Sequence, residues 1–284
     1  MTIANIGRSF FRETKASYAF VERNINLVKR YWGWEVVFLL YSIVNALSIT
    51  FIAKASPEIT GISFTAAKVD EFILYLIVGT LVWNYLAVVF DAISETITWE
   101  RWEGTIEYTF MAPISRLTHL FGSTLFAIFY GVFHTGVILV AVSLFFDVSL
   151  AQANFLSAAL LLMFGSLSFV GMGIFAAVLP LLFPERGAQM TNVLKALILL
   201  VSGVYFPISV LPAWMQVISH VSPAYYVLDG MREALLRNTD TFTIATPYLL
   251  PLLLFGIVAV PAGLFVFVAA ENYAKRTGRL KRNG

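Results

Sequence analysis

The residues that could carry chemistry in this chain are few, and they do not form a catalytic set. The three histidines, His119, His134 and His220, are far apart, and no His-Glu-x-x-His pair that would bind zinc occurs. The chain has no cysteine, which excludes thiol nucleophiles, disulfides and Cys-ligated metals. It also has no Gly-Lys pair and hence no Walker A loop for the phosphates of ATP. The sequence therefore predicts no catalytic, cofactor-binding or metal-ligating residue.

Polar residues inside apolar runs are the next candidates, because polar groups in a membrane usually face protein or a cavity. Asn45, Asn84 and His134 are possible path-lining residues, although an interhelical hydrogen bond is the simpler interpretation of His134. Gly165-Ser166-Leu167-Ser168 does not complete a nucleophile elbow and indicates small residues for helix packing. No buried acid pair suitable for a proton relay is evident, which argues against a proton-coupled transporter.

The elements that position these residues are apolar helices. The 284 residues are 59% hydrophobic and 13% charged, with a mean hydropathy of +0.80, which is too little charge for a soluble surface. Apolar residues fall in blocks of about twenty, the length that crosses a hydrocarbon core of roughly 30 Å. The sequence predicts an all-α integral membrane protein with six transmembrane helices. The predicted spans are residues 34–53, 72–90, 117–145, 155–183, 193–208 and 248–270, with Ser115 as N-cap of the third.

Lys and Arg concentrate at the two ends of the chain, six before the first span and five after the last. The six-span layout assigns fourteen basic residues to the inner side and four to the outer side. Because cytoplasmic segments carry this excess, both termini are expected in the cytoplasm, with the chain in the cell membrane of a prokaryote. The predicted organisation is an N-terminal helix in 1–33, a permease domain in 34–273 and a basic cytoplasmic tail in 274–284.

Residues 5–32 are predicted to form an amphipathic helix that lies in the membrane surface, in contact with lipid. At 100° per residue, one face is apolar and the opposite face is basic. The apolar face comprises Ile6, Phe10, Ser17, Val21, Ile25, Val28 and Trp32. The basic face comprises Arg8, Arg12, Lys15, Arg23 and Arg30.

Residues 209–246 do not fit a simple loop. Leu211-Pro212-Ala213-Trp214 opens an apolar stretch that is too short to cross a membrane. Ser222-Pro223 then predicts an N-cap and a first-turn proline for a second short helix, which ends near Arg237. Two short apolar helices on the outer side indicate a re-entrant hairpin or a surface lid.

Two motifs resemble those of the type-2 ABC exporter permeases, a family that includes drug-resistance, lipo-oligosaccharide and polysaccharide export permeases. The first is Glu100-Arg101-Trp102-Glu103-Gly104-Thr105-Ile106-Glu107, followed by Met111-Ala112-Pro113-Ile114-Ser115-Arg116. The second is Ser202-Gly203-Val204-Tyr205-Phe206-Pro207, followed by Leu211-Pro212-Ala213-Trp214, Pro223 and Arg232. With the six-span layout, the resemblance covers nearly the whole chain.

The resemblance implies a role for each part. A cytoplasmic coupling helix at about 97–110 would sit in a groove of a separate ATP-binding subunit, with Gly104 permitting close approach. Its candidate coupling residues are Glu100, Arg101, Glu103, Gly104, Thr105 and Glu107. The candidate outer gate comprises Tyr205, Phe206, Pro207, Leu211, Pro212 and Trp214. The alternative for the first segment is an acidic helix that is merely solvated.

The implied function is that of a permease subunit, not an enzyme, in an ATP-driven exporter of an amphipathic drug, lipid, glycolipid or polysaccharide. ATP and Mg would be held by the partner ATPase, and a second permease subunit, identical or related, would complete the path. No nucleic-acid partner is expected. A secondary transporter or channel is one alternative, favoured if transport survived ATP depletion. A membrane-embedded enzyme that acts on lipids is another, but the chain lacks convergent acid, base and nucleophile.

Overall fold

The computed structural model describes residues 3–60, 65–146, 153–278 and 280, and the side chains of all these except 3–11 and 60. The described ranges contain α-helices and no strand. The helices are α1 (Ile3–Arg30), α2 (Trp32–Lys54), α3 (Ser56–Thr60), α4 (Ala66–Glu103), α5 (Ile106–Met111), α6 (Arg116–Ser143), α7 (Phe155–Leu182), α8 (Gly187–Val201), α9 (Ala213–Val221), α10 (Pro223–Leu236), α11 (Thr241–Ile244) and α12 (Leu250–Arg276). A π-helical turn, Ala245–Leu249, joins α11 to α12.

Five helical segments in the described ranges are long and apolar enough to cross a membrane: α2, α4, α6, α7 and the joined α11–α12. The predicted fifth span, residues 193–208, is wrong in its bounds, because the helix there is α8 (Gly187–Val201). Its 15 residues rise about 22 Å, short of a hydrocarbon core of roughly 30 Å. The start of the third span is confirmed, since Ser115 Oγ accepts a hydrogen bond from Thr118 N at 3.0 Å.

Helix α4 is longer than the predicted second span and reaches into the segment expected to form a separate coupling helix. It has 38 residues and a length of about 57 Å, and it ends only at Glu103. Gly104 follows with φ of +74°, a left-handed conformation that is costly for residues with a Cβ. A single helix over 97–110 is therefore wrong. The segment is the end of α4, a glycine turn and the short helix α5.

Helix α7 lies at the centre of the bundle and packs mainly against α4 and α12. The small residues at 165–168 serve this packing, as predicted. The Tyr85 hydroxyl of α4 is hydrogen-bonded to Ser166 Oγ at 2.6 Å, and Ser168 Oγ donates to the Leu252 carbonyl of α12 at 2.8 Å. Helix α10 is also confirmed, with Pro223 in its first turn, but the Ser222 side chain makes no capping hydrogen bond. Its inner face packs among α4, α7 and α12.

Helix α1 docks on α6 rather than standing apart on a surface. A Cβ on Gly122 of α6 would lie 2.7 Å from the Ser17 carbonyl oxygen, so the two helices approach closely at this point. Glu13 accepts hydrogen bonds from the Thr118 hydroxyl and the Ser115 amide, and these hold the pKa of Glu13 below its usual value. The predicted basic face needs one correction, because Arg23 points inward to an ion pair. The predicted positions Ile6, Arg8 and Phe10 lie outside the described side chains.

Candidate functional site

The C-terminal end of α4, which the predicted layout puts on the inner side, carries a buried ion cluster centred on Glu100. Only 3% of Glu100 is exposed, and its Oε1 accepts hydrogen bonds from Arg23 Nη1 of α1 and His119 Nε2 of α6, each at 3.0 Å. The His119 side chain is fully buried, and its ring packs on Phe20 with centroids 4.8 Å apart. One carboxylate therefore joins three helices.

Two arginines of the first motif make further contacts between parts of the chain. Arg101, which is 5% exposed, donates from Nη1 to the Leu280 carbonyl at 2.7 Å. Arg116 forms a two-pronged ion pair with Glu271 of α12, with both N–O distances 2.8 Å. Its guanidinium also donates to the Phe110 carbonyl at 2.7 Å and lies 4.4 Å from the centre of that ring. The motif thus fixes α5 and the ends of α4, α6 and α12 against one another.

This geometry corrects the predicted coupling contacts. Glu100 and Arg101 are committed to partners within the chain and do not face outward, and Glu107 is half-buried. Six residues of this region remain exposed, and we call them the inner aromatic surface. Its members are Trp99, Trp102, Glu103, Thr105, Tyr108 and Met111. Gly104 ends α4 at positive φ, and its close approach to an ATP-binding subunit stays a prediction.

The inner aromatic surface continues onto the turn between α7 and α8. Trp102 Nε1 donates to the Pro184 carbonyl at 3.2 Å, and the Trp99 and Trp102 rings meet edge to face at 5.6 Å. Phe183, Glu185 and Arg186 of that turn are exposed. The surface therefore combines aromatic rings, a thioether and charges of both signs on a rigid base.

Sequence reasoning missed the residues that anchor the inner aromatic surface to the rest of the chain. Arg23, His119 and Glu271 lie 77, 19 and 155 positions from their partners. No local spacing indicates such pairs. The one available signal was chemical, because a glutamate beside a long apolar run needs an ionic or hydrogen-bonding partner.

The N-terminal half of α4, which the predicted layout puts on the outer side, contacts the second motif. Gly203 has φ of +71°, and Arg232 of α10 donates to the carbonyls of Gly203 and Val204 at 3.0 and 2.8 Å. The same guanidinium lies 3.5 Å from the ring centre of Tyr75 of α4. A Cβ on Gly79 would lie 2.3 Å from the Val204 oxygen, so α4 touches the turn backbone directly. We call residues 202–207 the outer turn.

The predicted gate residues all follow α8, but they differ in exposure. Tyr205, Phe206 and Leu211 are half-buried, whereas Pro207, Pro212 and Trp214 are exposed. Pro207 precedes the 3-10 turn Ile208–Val210, and Pro212 precedes α9. Arg232, rather than any of the six, fixes the outer turn.

The three predicted path-lining residues are not joined to one another in the part of the chain that the structure describes. Asn45 is exposed on α2, and Asn84 is half-buried on α4. His134 is 7% exposed on α6, and its ring stacks on Tyr130 with centroids 5.6 Å apart. Its Nδ1 has no hydrogen-bond partner among the described residues.

Five helical segments in the described ranges are long and apolar enough to cross a membrane, which is the architecture of a multi-pass membrane protein. The chain belongs to the ABC-2 type transporter family, whose profile it matches over residues 15–236. It is similar to the inner membrane transport permease YadH of Escherichia coli K12, with 23% identity over 190 residues, or 67% of this chain and 70% of that protein. The YadH permease of Shigella flexneri matches to the same extent.

Proposed function

We propose that this chain is the permease subunit of an ATP-driven exporter, and that its inner aromatic surface is where a separate ATP-binding subunit docks. The single observation that carries the proposal is this exposed surface, held in place by buried ion pairs. Family membership supports the same assignment.

The chemistry of the surface favours a protein partner. Tyr108 is 77% exposed and Met111 is 81% exposed, although aromatic residues and Met usually avoid water. Trp, Tyr and Met are enriched where proteins bind one another, and charged residues form the rim. Glu103 is exposed beside them and supplies such a rim charge. The docking contact is therefore mainly apolar, with Glu103 as its acidic part.

The base beneath the surface makes it suitable for transmitting force. Glu100, Arg101 and Arg116 tie the turn to α1, α6 and α12, so a push on the surface moves helices rather than a loop. At the other end of α4, the outer turn and the hairpin of α9 and α10 form the outer gate. The proposal also includes a second permease subunit that completes the path and an amphipathic substrate. Both termini of the chain lie in the cytoplasm in this arrangement.

The test uses the full chain co-expressed with its cognate ATP-binding cassette subunit. Tyr108→Asp, Met111→Asp and Glu103→Lys each change an exposed side chain without touching the buried ties. A matched control is Phe242→Asp, because Phe242 is 88% exposed. It lies in α11, which precedes the start of α12, whereas the inner aromatic surface lies near the end of α12. Co-purification of the ATPase, its stimulated ATP hydrolysis and export are measured together.

The surface variants are expected to keep normal abundance and to lose most ATPase association and export, while the control keeps both. Disrupting one interface anchor costs about 2 kcal/mol or more, a loss of roughly thirtyfold in affinity. Normal association in all three surface variants would refute the docking assignment. Export that persists without ATP would instead establish the secondary transporter or channel.

A further inference from the structure

Four charged residues from three helices lie together near the inner edge of the membrane. Residues 72–90 of α4 contain no charged side chain, and Asp91 is the first that follows, with Glu95 one turn further. Glu35 immediately precedes the uncharged run 36–53 of α2. Because each apolar run spans the hydrocarbon core, its first flanking charge lies at headgroup level. Lys195 of α8 is drawn to the same level by its ion pair with Asp91.

These groups interact, but one acid lacks a direct partner. The Tyr130 hydroxyl of α6 donates to Glu35, and Lys195 pairs with Asp91. Glu35, Asp91 and Lys195 all act electrostatically on Glu95, which places the carboxylates in one group. In the described part of the chain, Glu95 is exposed and forms no hydrogen bond or salt bridge. Three carboxylates thus face one ammonium group. Asp91 and Glu95 are one turn apart on α4, and Glu35 joins them from α2. The expected absence of a buried acid pair stays a prediction, because Glu95 is exposed.

A second, independent observation comes from α6. His134 is 7% exposed and stacks on Tyr130, whose hydroxyl binds Glu35, yet Nδ1 of His134 has no partner among the described side chains. Glu35 acts electrostatically on His134, and Tyr130 contacts both residues, so the His134 ring lies near Glu35. A buried polar atom without a partner is costly unless a further molecule completes its hydrogen bond.

An exposed carboxylate at headgroup level stays hydrated, so a charged group in the headgroup layer can reach the Glu95 side chain. The four acids and bases do not converge as metal ligands, since no described group of three or more His, Cys, Asp or Glu could hold a metal ion. Excess carboxylate beside a single ammonium group fits an organic ammonium group, which carboxylates attract electrostatically. The Tyr130 ring is stacked between Phe126 and His134, so Tyr130 contributes through the hydroxyl that binds Glu35. Headgroup level is also where such a group lies when its apolar tail is in the bilayer.

We propose that Glu35, Asp91, Glu95, Tyr130 and His134 form an entry site for the ammonium group of a cationic amphiphile from the inner leaflet. This deepens the proposed export function, on which it rests, by naming the substrate class. The same excess of carboxylate repels anionic phospholipids, so the site admits a cationic substrate and rejects the abundant bilayer lipids.

The test measures binding by the permease alone, in nanodiscs of phosphatidylcholine, so that it does not depend on any ATPase. The probes are a fluorescent single-chain quaternary ammonium amphiphile and its sulfonate counterpart with the same chain. The variants are Glu95→Gln and Glu35→Gln, with Glu58→Gln in α3 as the control for an exposed carboxylate elsewhere. Tyr130→Phe removes only a hydroxyl and serves if a glutamine variant does not fold.

Wild type and Glu58→Gln are expected to bind the cationic probe more tightly than the anionic one. Glu95→Gln should weaken cation binding about fivefold, the loss expected for one charge at a membrane surface, and should leave anion binding unchanged or stronger. Equal binding of both probes by wild type would overturn the proposal. So would a cation-to-anion ratio that none of the three site variants changes. If the ATPase fails to associate while the permease still prefers the cationic probe, the exporter assignment is refuted and the cation site is retained.

Discussion

Replacing Glu100 with Ala is expected to destabilise the inner end of α4 without removing a contact to any partner protein. The change leaves His119, which is fully buried, and Arg23 without their shared acceptor. Removing one partner of a buried ion pair costs about 3–5 kcal/mol. The Arg23 side chain is 38% exposed and regains hydration, so a loss of about 2–3 kcal/mol is the better expectation.

Thermal unfolding of the purified chain in detergent checks this value. At about 2–4 °C for each kcal/mol, the midpoint of Glu100→Ala should fall by roughly 5–10 °C. Glu103→Ala is the matched control, because Glu103 is an exposed glutamate three residues along the same helix. It should unfold like wild type and lose ATPase association instead. The double variant with Arg23→Ala should cost less than the two single losses added together, because the residues share one interaction.

The opposite pattern would refute the distinction between a structural and a docking glutamate. A Glu100→Ala midpoint within 1 °C of wild type, together with lost ATPase association, would mean that Glu100 binds the partner. Its burial beneath the inner aromatic surface would then have to open on docking.

Three further predictions concern the outer turn and α1. Arg232→Met should lower stability by about 2–3 kcal/mol in thermal unfolding, since two carbonyls lose a charged donor, and Arg232→Lys should restore only part of it. Gly79→Ala should reduce folded yield in size-exclusion chromatography because its Cβ would meet the Val204 oxygen, whereas Gly136→Ala, with open space around it, should not. The lowered pKa of Glu13 makes α1 docking fully effective above about pH 4.5 and progressively weaker as pH falls through the lowered value. Limited proteolysis of α1 should therefore increase at acidic pH, and Glu13→Gln should remove this dependence.

The sequence predicted most of the helical framework because apolar run length, capping and proline placement act locally. Ser115 caps α6 and Pro223 opens α10, and both were evident from adjacent residues. The α8 boundary was missed for a tertiary reason. Arg232, 29 residues from Gly203, captures the carbonyls of the outer turn and ends the helix earlier than hydropathy indicates.

Site prediction failed where the relevant partner was distant in sequence. The acidic and basic pattern at Glu100 and Arg101 could equally describe a docking face or a buried tie, and only His119 and Arg23 distinguish the two. The same holds for Glu35, which reaches Asp91 and Glu95 only because α2 and α4 run side by side. Local patterns identify which residues are ionisable, whereas the helix arrangement decides what they face.

Helix α4 has a mechanical consequence that follows from its continuity. Gly79 touches the outer turn and Glu100 anchors the inner ion cluster, and the two residues are 21 positions apart, or about 32 Å of helix without a proline. A rod of this length that pivots at one end by about 5° swings its other end by about 3 Å. Such a swing would break the close contact between Gly79 and the Val204 oxygen. Helix α4 is thus one continuous rod that mechanically connects the outer turn to the inner ion cluster. Its closest packing contact lies at a glycine, a residue that has no side chain.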